Sequence, residues 1–300
     1  MPSPHQGGEF LGLPPEASDA ARSRVVVLPV PYEASTTFLR GTAGGPAAIL
    51  AASTQVEFFD EAERDEPCMR VLHTLPPVDA AGAPEEVIAR VENAVAAHAG
   101  AGRFVLTLGG EHTVTIGAAR GAARGRGPLT VVQIDAHADL RNEYEGSPFN
   151  HACVMRRLAE HFPIVQVGIR AYSTEEDEFI RRSGITAVPA REIAASRGRG
   201  LEADEGAPWI RKVLNALGTE RVYLSVDLDG LDPSVVPAVG TPDPGGLSWY
   251  ETLALVRAVF ARGGVAGADV VELCPSAGSA LSDYTAARLA YKIAGHALRA

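Results

Sequence analysis

The sequence predicts an α/β protein in which a mostly parallel central sheet of about eight strands lies between two layers of helices. Short β-branched runs alternate along the chain with glycine-containing turns and helical patterns, the order expected of a parallel sheet covered on both faces. The composition is that of a globular chain, since 46% of the 300 residues are hydrophobic and 21% are charged. Enough apolar residues are therefore present to bury a core.

Seven β-branched runs are predicted strands, and a shorter eighth strand is expected near Val71. The seven runs cover residues 24–30, 104–108, 129–135, 164–167, 185–188, 221–227 and 265–273. Most are apolar without alternation, which is typical of strands that are buried on both faces.

Three helices are predicted with clear signals. A stripe of valines indicates a helix over residues 84–99. Ser248 and Glu251 form a capping-box pair that begins a second helix, which two glycines end at 263–264. Apolar residues at helical spacing indicate a third helix over about 282–298. We interpret these stripes as core.

The glycine- and proline-rich connections indicate one domain. They cover residues 41–46, 121–128, 198–208 and 230–246. The last is long, and long loops in compact domains are usually functional. Because the chain shows no internal repeat and no linker composition, we predict a single domain over residues 23–300 after a flexible N-terminal extension at 1–22.

Charge and cysteine content exclude several functions. A net charge of −10 argues against a general nucleic-acid or anionic-membrane binder, which needs a positive surface, and suits a cationic ligand. Lys212 and Lys292 are the only lysines and neither lies in a phosphate-binding Gly-Lys-Ser/Thr motif. The three cysteines are far apart, so neither a disulfide framework nor a thiolate zinc site is indicated. Without a signal peptide or an apolar membrane span, we expect a cytoplasmic protein.

Three predicted strands end in clusters of metal-ligating residues. The candidates are His112 after the strand at 104–108, Asp135, His137 and Asp139 after the strand at 129–135, and Asp227 and Asp229 at the end of the strand at 221–227. In an open α/β sheet, ligands bind at the carboxyl ends of the strands. A single aspartate there is more often a helix cap or a turn residue. Three such clusters together favour one shared site.

Four carboxylates gathered in a crevice resist ionisation unless counter-charge is present. Two divalent cations would balance four negative charges, and the two histidines would complete the ligand set. The carboxylate-rich, thiolate-free set favours Mn²⁺ and leaves zinc, iron or cobalt open. Because a metal pair supplies hydroxide near neutral pH, the residues predict a hydrolase.

The three clusters resemble the signatures of the ureohydrolases, a superfamily that includes arginase, agmatinase, guanidinobutyrase and formimidoylglutamase. The motifs are Gly109-Gly110-Glu111-His112-Thr113, Asp135-Ala136-His137-Ala138-Asp139 and Ser225-Val226-Asp227-Leu228-Asp229-Gly230-Leu231-Asp232-Pro233. The resemblance runs from about Val25 to the C-terminus and implies a three-layer αβα arginase-like fold. Glu111 departs from it, because the family more often has Asp there, and we expect only a local adjustment.

This resemblance implies a role for each site residue. One Mn²⁺ would be held by His112, Asp135, Asp139 and Asp227, and the other by Asp135, His137, Asp227 and Asp229. Asp139 would also transfer a proton, and His151 resembles the histidine that exchanges protons at the pocket mouth. Glu272 would bind the substrate guanidinium, and Thr241 lies in the loop that closes over the substrate. Without the resemblance, His151 would be an ordinary loop histidine and Glu272 would pair with an arginine.

By resemblance, the reaction is hydrolysis of a small cationic guanidino compound to urea and an amine. Residues 135–157 look like the agmatinase branch, since Arg141 stands where arginases have an asparagine. Agmatine is the first expectation, with N1-aminopropylagmatine and 4-guanidinobutyrate as alternatives. Glu143 or Glu145 would meet the distal ammonium of agmatine. An acidic pocket rim would favour polyamines, and an arginine there would favour the carboxylate of guanidinobutyrate.

A different class of enzyme shares this architecture, the single-zinc deacetylases of acetyl-lysine and acetylpolyamines. Retention of both carboxylate motifs argues for two metals and against that class. Complete retention of the ligands also argues against a non-catalytic subunit. By resemblance alone, we expect a homo-oligomer, either a trimer or a hexamer.

Overall fold

The computed structural model describes residues 8–197, 206–218 and 221–300. These residues contain eight strands and nine α-helices. The strands are β1 (Val25–Val30), β2 (Leu72–Thr74), β3 (Phe104–Gly109), β4 (Thr130–Ile134), β5 (Ile164–Ile169), β6 (Thr186–Pro189), β7 (Val222–Asp227) and β8 (Val265–Val271). The helices are α1 (Gly45–Ser53), α2 (Pro84–Gly100), α3 (Val114–Arg126), α4 (Val154–Ala159), α5 (Thr174–Ser183), α6 (Ala190–Ala194), α7 (Pro208–Ala216), α8 (Trp249–Arg262) and α9 (Leu281–Arg299).

All eight strands pair in parallel in one sheet, in the order β2-β1-β3-β8-β7-β4-β5-β6. The predicted strands and the predicted three-layer arrangement are confirmed. Strands β3, β7 and β4, which precede the three metal-ligating clusters, lie within four neighbouring positions of the sheet. Because the strands are parallel, their carboxyl ends meet at one edge, and the clusters are brought together there.

The strands are apolar because both faces of the sheet are covered. Along β1, Val25 and Val27 pack into one core with helices α1 and α6–α9, and Val26 and Leu28 pack into the other with α2–α5. Alternate side chains of a strand point to opposite faces. Burying each such valine or leucine contributes about 1.5–3 kcal/mol to the free energy of folding. Segments with unbroken apolar runs are therefore stable as strands that helices cover on both faces.

The three predicted helices are confirmed as α2, α8 and α9. In α8, the Ser248 side chain accepts a hydrogen bond from the amide of Glu251, and the Glu251 carboxylate accepts one from the amide of Ser248. This is the capping box read from the sequence.

The predicted connection at 121–128 is wrong over most of its length, because α3 continues to Arg126. Gly121 and Gly125 serve close helix packing, as does the earlier Gly117, and only Gly127 has a positive φ, at the end of the helix. A Cβ on Gly117 would lie 2.4 Å from the carbonyl oxygen of Ile88, and one on Gly121 would lie 2.6 Å from that of Glu92. The α3 backbone therefore rests directly on α2. Residues 198–205 of another predicted connection lie outside the described residues.

Part of the segment that we expected to be a flexible extension packs onto the fold. Phe10, Leu11 and Leu13 are buried and join the core beside α1. The amide of Leu11 donates to the Ser53 hydroxyl at 2.8 Å. The segment forms two 3₁₀ turns of three residues each. Elements this short show no hydrophobic periodicity, so no sequence pattern indicates that these apolar side chains are buried. Residues 1–7 lie outside the described chain, and the boundary at 22/23 stays a prediction.

None of the helices in residues 8–197, 206–218 and 221–300 combines the length and the apolar character needed to cross a membrane.

Candidate active site

A cavity of about 330 Å³ opens at the carboxyl edge of the sheet. Four of the predicted ligands line it, together with His151 and Thr241. The residues that line it are Thr37, His137, Asp139, Arg141, Tyr144, His151, Ala152, Ala171, Tyr172, Ser173, Glu176, Asp227, Asp229 and Thr241. The sheet topology therefore joins residues from loops that are distant in sequence.

His112 lies against three carboxylates at the base of this cavity. Its Nδ1 atom is 2.9 Å from Asp139 Oδ2. The same atom lies 3.2 Å from Asp135 Oδ2 and 3.3 Å from Asp227 Oδ2. Among the described residues this buried Nδ1 has no hydrogen-bond partner. Its other nitrogen, Nε2, lies 2.9 Å from the Ser225 hydroxyl. A ring nitrogen that faces three carboxylates without a hydrogen bond is the arrangement of a metal ligand.

His137 forms the second half of the cluster. Its Nδ1 atom lies 3.0 Å from Asp229 Oδ2 and 3.7 Å from Asp135 Oδ1. Asp135 thus has one oxygen toward each histidine. Two groups of three potential ligands result, His112 with Asp135 and Asp139, and His137 with Asp135 and Asp229. Asp227 links them, because its Oδ2 atom faces His112 and its Oδ1 atom accepts from the Asp229 amide at 2.9 Å.

The two histidines supply counter-charge for only part of the cluster. Although burial opposes it, His112 and His137 hold the pKa of Asp135 well below its usual range, whereas the other three aspartates shift the opposite way. Burial and the neighbouring charge of Asp135 raise the pKa of Asp139 to about 6. Burial, followed by repulsion from the other carboxylates, also raises the pKa values of Asp227 and Asp229. Divalent cations remove this repulsion and leave the acids ionised. The buried, unpartnered His112 nitrogen and the hard oxygen donors together fit a divalent metal site.

Two site residues have left-handed backbone conformations, Asp139 with φ 52° and Glu272 with φ 66°. Such conformations cost about 1–3 kcal/mol for residues other than glycine and persist where neighbours hold them. The backbone on either side of Asp139 is held, since Leu140 N donates to Glu176 Oε1 at 3.0 Å and Arg156 N donates to Asp139 O at 3.0 Å. Glu272 N donates to the carbonyl of Gly110 at 2.8 Å.

Glu272 and His151 lie side by side near the metal ligands. Glu272 is buried, and its Oε1 atom accepts from the His112 amide at 2.7 Å. The same oxygen lies 3.6 Å from His151 Nδ1. Burial alone would lower the pKa of His151, but the adjacent Glu272 outweighs it, and the pKa is raised. His151 Nε2 lies 3.3 Å from the Thr37 hydroxyl.

The long loop at 230–246 carries Thr241 into the cavity. The Thr241 hydroxyl donates to Asp229 Oδ2 at 3.0 Å. Arg170 holds the loop, because its guanidinium donates to the carbonyls of Asp229 at 2.7 Å and Pro244 at 3.1 Å. The loop is therefore tied to a metal-ligating residue.

Glu143 does not reach the site, since it is exposed and lies outside the set of described residues that line the cavity. It directly precedes the turn that the Tyr144–Ser147 bridge closes, and Tyr144 lines the cavity instead. The sequence analysis also did not identify Thr37, Tyr172 and Glu176, which line the cavity. Their loops carry no local motif, and only the folded chain places them here.

The fold and the cluster define a metal-dependent hydrolase with an arginase-like sheet. Residues 23–296 match the model of the Arginase family, and the chain belongs to that family. It is 41% identical to the N(1)-aminopropylagmatine ureohydrolase of Synechocystis sp., over 92% of this chain and 90% of that protein. A protein of the same name from Thermus thermophilus is 42% identical over 91% of this chain and 90% of that protein.

The structure superimposes on the crystal structure of the agmatine ureohydrolase of Thermoplasma volcanium with a TM-score of 0.81. The two chains are 29% identical, and the match covers 92% of this chain and 90% of that one. The predicted superfamily and hydrolase class are confirmed.

Proposed function

We propose that this enzyme hydrolyses N1-aminopropylagmatine to urea and the triamine that remains when the amidino group is removed. The observation that carries the proposal is the 41–42% identity to two proteins of that name across nine-tenths of their length. The agmatine ureohydrolase structure is 29% identical. The alternative from the sequence analysis is thus better supported than agmatine, which becomes the second candidate.

We assign the guanidinium head to Glu272. A carboxylate offers two acceptor oxygens to the planar donor fork of a guanidinium. The hydrogen bond from His112 N to Glu272 Oε1 and the left-handed backbone at Glu272 hold this carboxylate beside the metal ligands. Substrate bound there would have its guanidinium carbon near Asp139 and His151.

The polyamine tail fits the outer part of the cavity. The Arg141 guanidinium carbon lies 4.7 Å from the centre of the Tyr144 ring. Arg141 Nε also lies 3.9 Å from Glu176 Oε2. An aromatic face with a nearby carboxylate favours a cation, so this place suits a substrate ammonium once Arg141 moves aside. An arginine at this position was expected to favour guanidinobutyrate, but here its charge already faces Glu176.

We propose that two Mn²⁺ ions bind the cluster. Their ligands would be His112, Asp135, Asp139 and Asp227 for one ion, and Asp135, His137, Asp227 and Asp229 for the other. When bound, such a pair lowers the pKa of water and supplies hydroxide at neutral pH.

The chain's own residues position substrate and move protons. Glu272 orients the guanidinium, and Asp139 accepts a proton at its carboxylate and returns it to the leaving amine. His151, whose side chain is 13% exposed and whose Nε2 atom lies beside the Thr37 hydroxyl, exchanges protons with the bulk solvent. Thr241 fixes Asp229 through its hydroxyl. We also propose a cytoplasmic location, in keeping with three free cysteines, and a homo-oligomer, either a trimer or a hexamer.

The test is urea release by the Mn²⁺-loaded enzyme with N1-aminopropylagmatine, agmatine, 4-guanidinobutyrate and arginine, compared by kcat/KM. We expect the highest value for N1-aminopropylagmatine. A higher value for agmatine or guanidinobutyrate would replace the proposed substrate, and no urea from any of the four would reject the function. Glu272→Gln, assayed in parallel, should lose urea release and keep its metal.

A further inference from the structure

Glu111 is a fully buried carboxylate held by four donors. Its Oε2 atom accepts from the amides of Ala34 and Ser35, each at 2.6 Å. Its Oε1 atom accepts from the Ser35 hydroxyl and the Thr113 hydroxyl, each at 2.7 Å. No cationic side chain in the described part of the chain forms an ion pair with it. A buried charge needs such donors, so Glu111 and the 34–35 backbone depend on each other.

Ser35 extends this contact to His151. Its hydroxyl has one hydrogen, which it donates to Glu111. The hydroxyl oxygen accepts a hydrogen bond from the backbone amide of His151 at 2.9 Å. The Glu111 carboxylate therefore orients the Ser35 hydroxyl so that its oxygen can accept the hydrogen bond from the His151 amide. Two residues further on, the Thr37 hydroxyl lies 3.3 Å from His151 Nε2. The segment at 34–37 thus contacts both the backbone and the ring of His151.

The residue that follows Glu111 in the chain contacts Glu272. The residue after Glu111 is His112, whose amide donates to Glu272 Oε1 at 2.7 Å. Two consecutive residues thus fix both members of the pair formed by His151 and Glu272, whose atoms lie 3.6 Å apart.

We infer that Glu111 is a positioning residue that sets the place of His151 relative to Glu272, acting through Ser35. This inference rests on the proposed function, in which His151 exchanges protons. It also corrects the expectation of a merely local adjustment at Glu111, because the carboxylate reaches a segment 76 residues earlier in the chain. A glutamate reaches one methylene further than an aspartate, and both of its oxygens are used on that segment.

The experiment compares Ser35→Ala, Glu111→Gln, Glu111→Asp and the double variant Ser35→Ala/Glu111→Gln in the metal-loaded enzyme. Four quantities are measured: kcat and KM for agmatine and N1-aminopropylagmatine, bound metal, and amide hydrogen exchange over residues 149–153. Ser279→Ala, at an exposed serine before α9, is the matched control. His151→Ala gives the effect of losing the positioned side chain.

We expect Ser35→Ala and Glu111→Gln to lower kcat by roughly ten- to a hundredfold, since small misplacements of reacting groups have effects of this size. KM and bound metal should change little, and exchange at 149–153 should speed up. The double variant should be no worse than Glu111→Gln alone, because the two residues act in series. Glu111→Asp should recover part of kcat.

Unchanged kcat and unchanged exchange in Ser35→Ala would overturn the inference while leaving the proposed function intact. So would losses of kcat that add in the double variant. Full turnover by His151→Ala would overturn both the proton role of His151 and this inference. If no guanidino substrate is hydrolysed, the exchange data still decide whether Glu111 and Ser35 place His151.

Discussion

His112 Nε2 lies 2.9 Å from the Ser225 hydroxyl, which donates its hydrogen to Asp269 Oδ1 at 2.8 Å. Ser225 therefore accepts from His112, and the His112 proton resides on Nε2. The second Asp269 oxygen accepts from the Tyr223 hydroxyl at 2.9 Å. All four side chains are buried. This chain of hydrogen bonds leaves the Nδ1 lone pair of His112 directed at the carboxylates, the tautomer that a metal ligand needs.

Ser225→Ala should weaken metal binding. Without the acceptor at Nε2, His112 loses its fixed tautomer and ring orientation, and changes of this kind typically cost roughly ten- to a hundredfold in metal affinity. The measurement is competition for Mn²⁺ between the protein and a chelator of known affinity. Ser183→Ala, at an exposed serine of α5, is the control. Equal affinity in both variants would show that the Ser225 contact does not tune the site.

Metal removal should destabilise the folded chain, because the carboxylates then repel one another in a buried cluster. At a free Mn²⁺ concentration a hundred times Kd, each occupied site adds about 2.7 kcal/mol to the free energy of unfolding. Chelation should therefore lower the melting temperature, and Mn²⁺ should restore it. Metal analysis should give two ions per chain. One ion per chain at saturation would contradict the proposed pair.

The strands and the metal cluster are predictable because their signals are local. Buried parallel strands are unbroken apolar runs, and the ligands follow those runs within a few residues of sequence. Parallel pairing alone then brings His112, Asp135 and Asp227 together. The sheet and the cluster could therefore be predicted without knowing any long-range contact.

Other features depend on contacts that no local pattern announces. Helix α3 was missed because small residues make its buried face look like a glycine-rich turn, and the reason for those glycines is the backbone of α2. Helix α5 has a capping box at Ser173 and Glu176 but no apolar stripe. The link from Glu111 to Ser35 joins two loops 76 residues apart. Glu143 was chosen by its charge, yet Tyr144 lines the cavity instead.

Arg141→Gln should improve the use of N1-aminopropylagmatine. In the structure, Arg141 occupies the face of Tyr144 and lies beside Glu176, the groups that we assign to a substrate ammonium. A cation–π contact and a partly exposed ion pair are each worth up to about 1 kcal/mol. Removing the competitor should raise kcat/KM for N1-aminopropylagmatine by roughly three- to thirtyfold and leave it nearly unchanged for 4-guanidinobutyrate.

The matched control is Arg182→Gln, at an exposed arginine of α5. Tyr144→Leu should have the opposite effect and lower kcat/KM for N1-aminopropylagmatine. If Arg141→Gln instead abolishes activity with 4-guanidinobutyrate and leaves both polyamine substrates unchanged, Arg141 binds a substrate carboxylate. The substrate assignment would then move to guanidinobutyrate.

Asp60 and Lys292 form a buried ion pair that ties α9 to the segment before β2, with Lys292 Nζ 2.9 Å from Asp60 Oδ1. Burial alone would raise the pKa of Asp60, but the Lys292 ammonium outweighs it and the pKa is lowered. The stability that this shift provides is fully present above the unfolded pKa of about 3.9. It is lost as the pH falls through the lower folded pKa.

Asp60→Asn should therefore lower the free energy of unfolding by about 3–5 kcal/mol at neutral pH, because it leaves the Lys292 charge buried with less compensation. The loss should shrink below about pH 4, where the wild-type carboxylate also begins to take up its proton. Urea unfolding at both pH values measures this difference. Asp60→Asn/Lys292→Met should recover part of the stability, because the buried ammonium is removed together with its buried partner. Glu61, which also contacts Lys292, keeps Arg288, and Arg299, which also contacts Asp60, keeps Glu63. Asp65→Asn, which removes the partly exposed partner of Arg70, should cost about 1 kcal/mol or less. A loss from Asp60→Asn that stays constant with pH would mean that the Asp60 charge does not stabilise the fold.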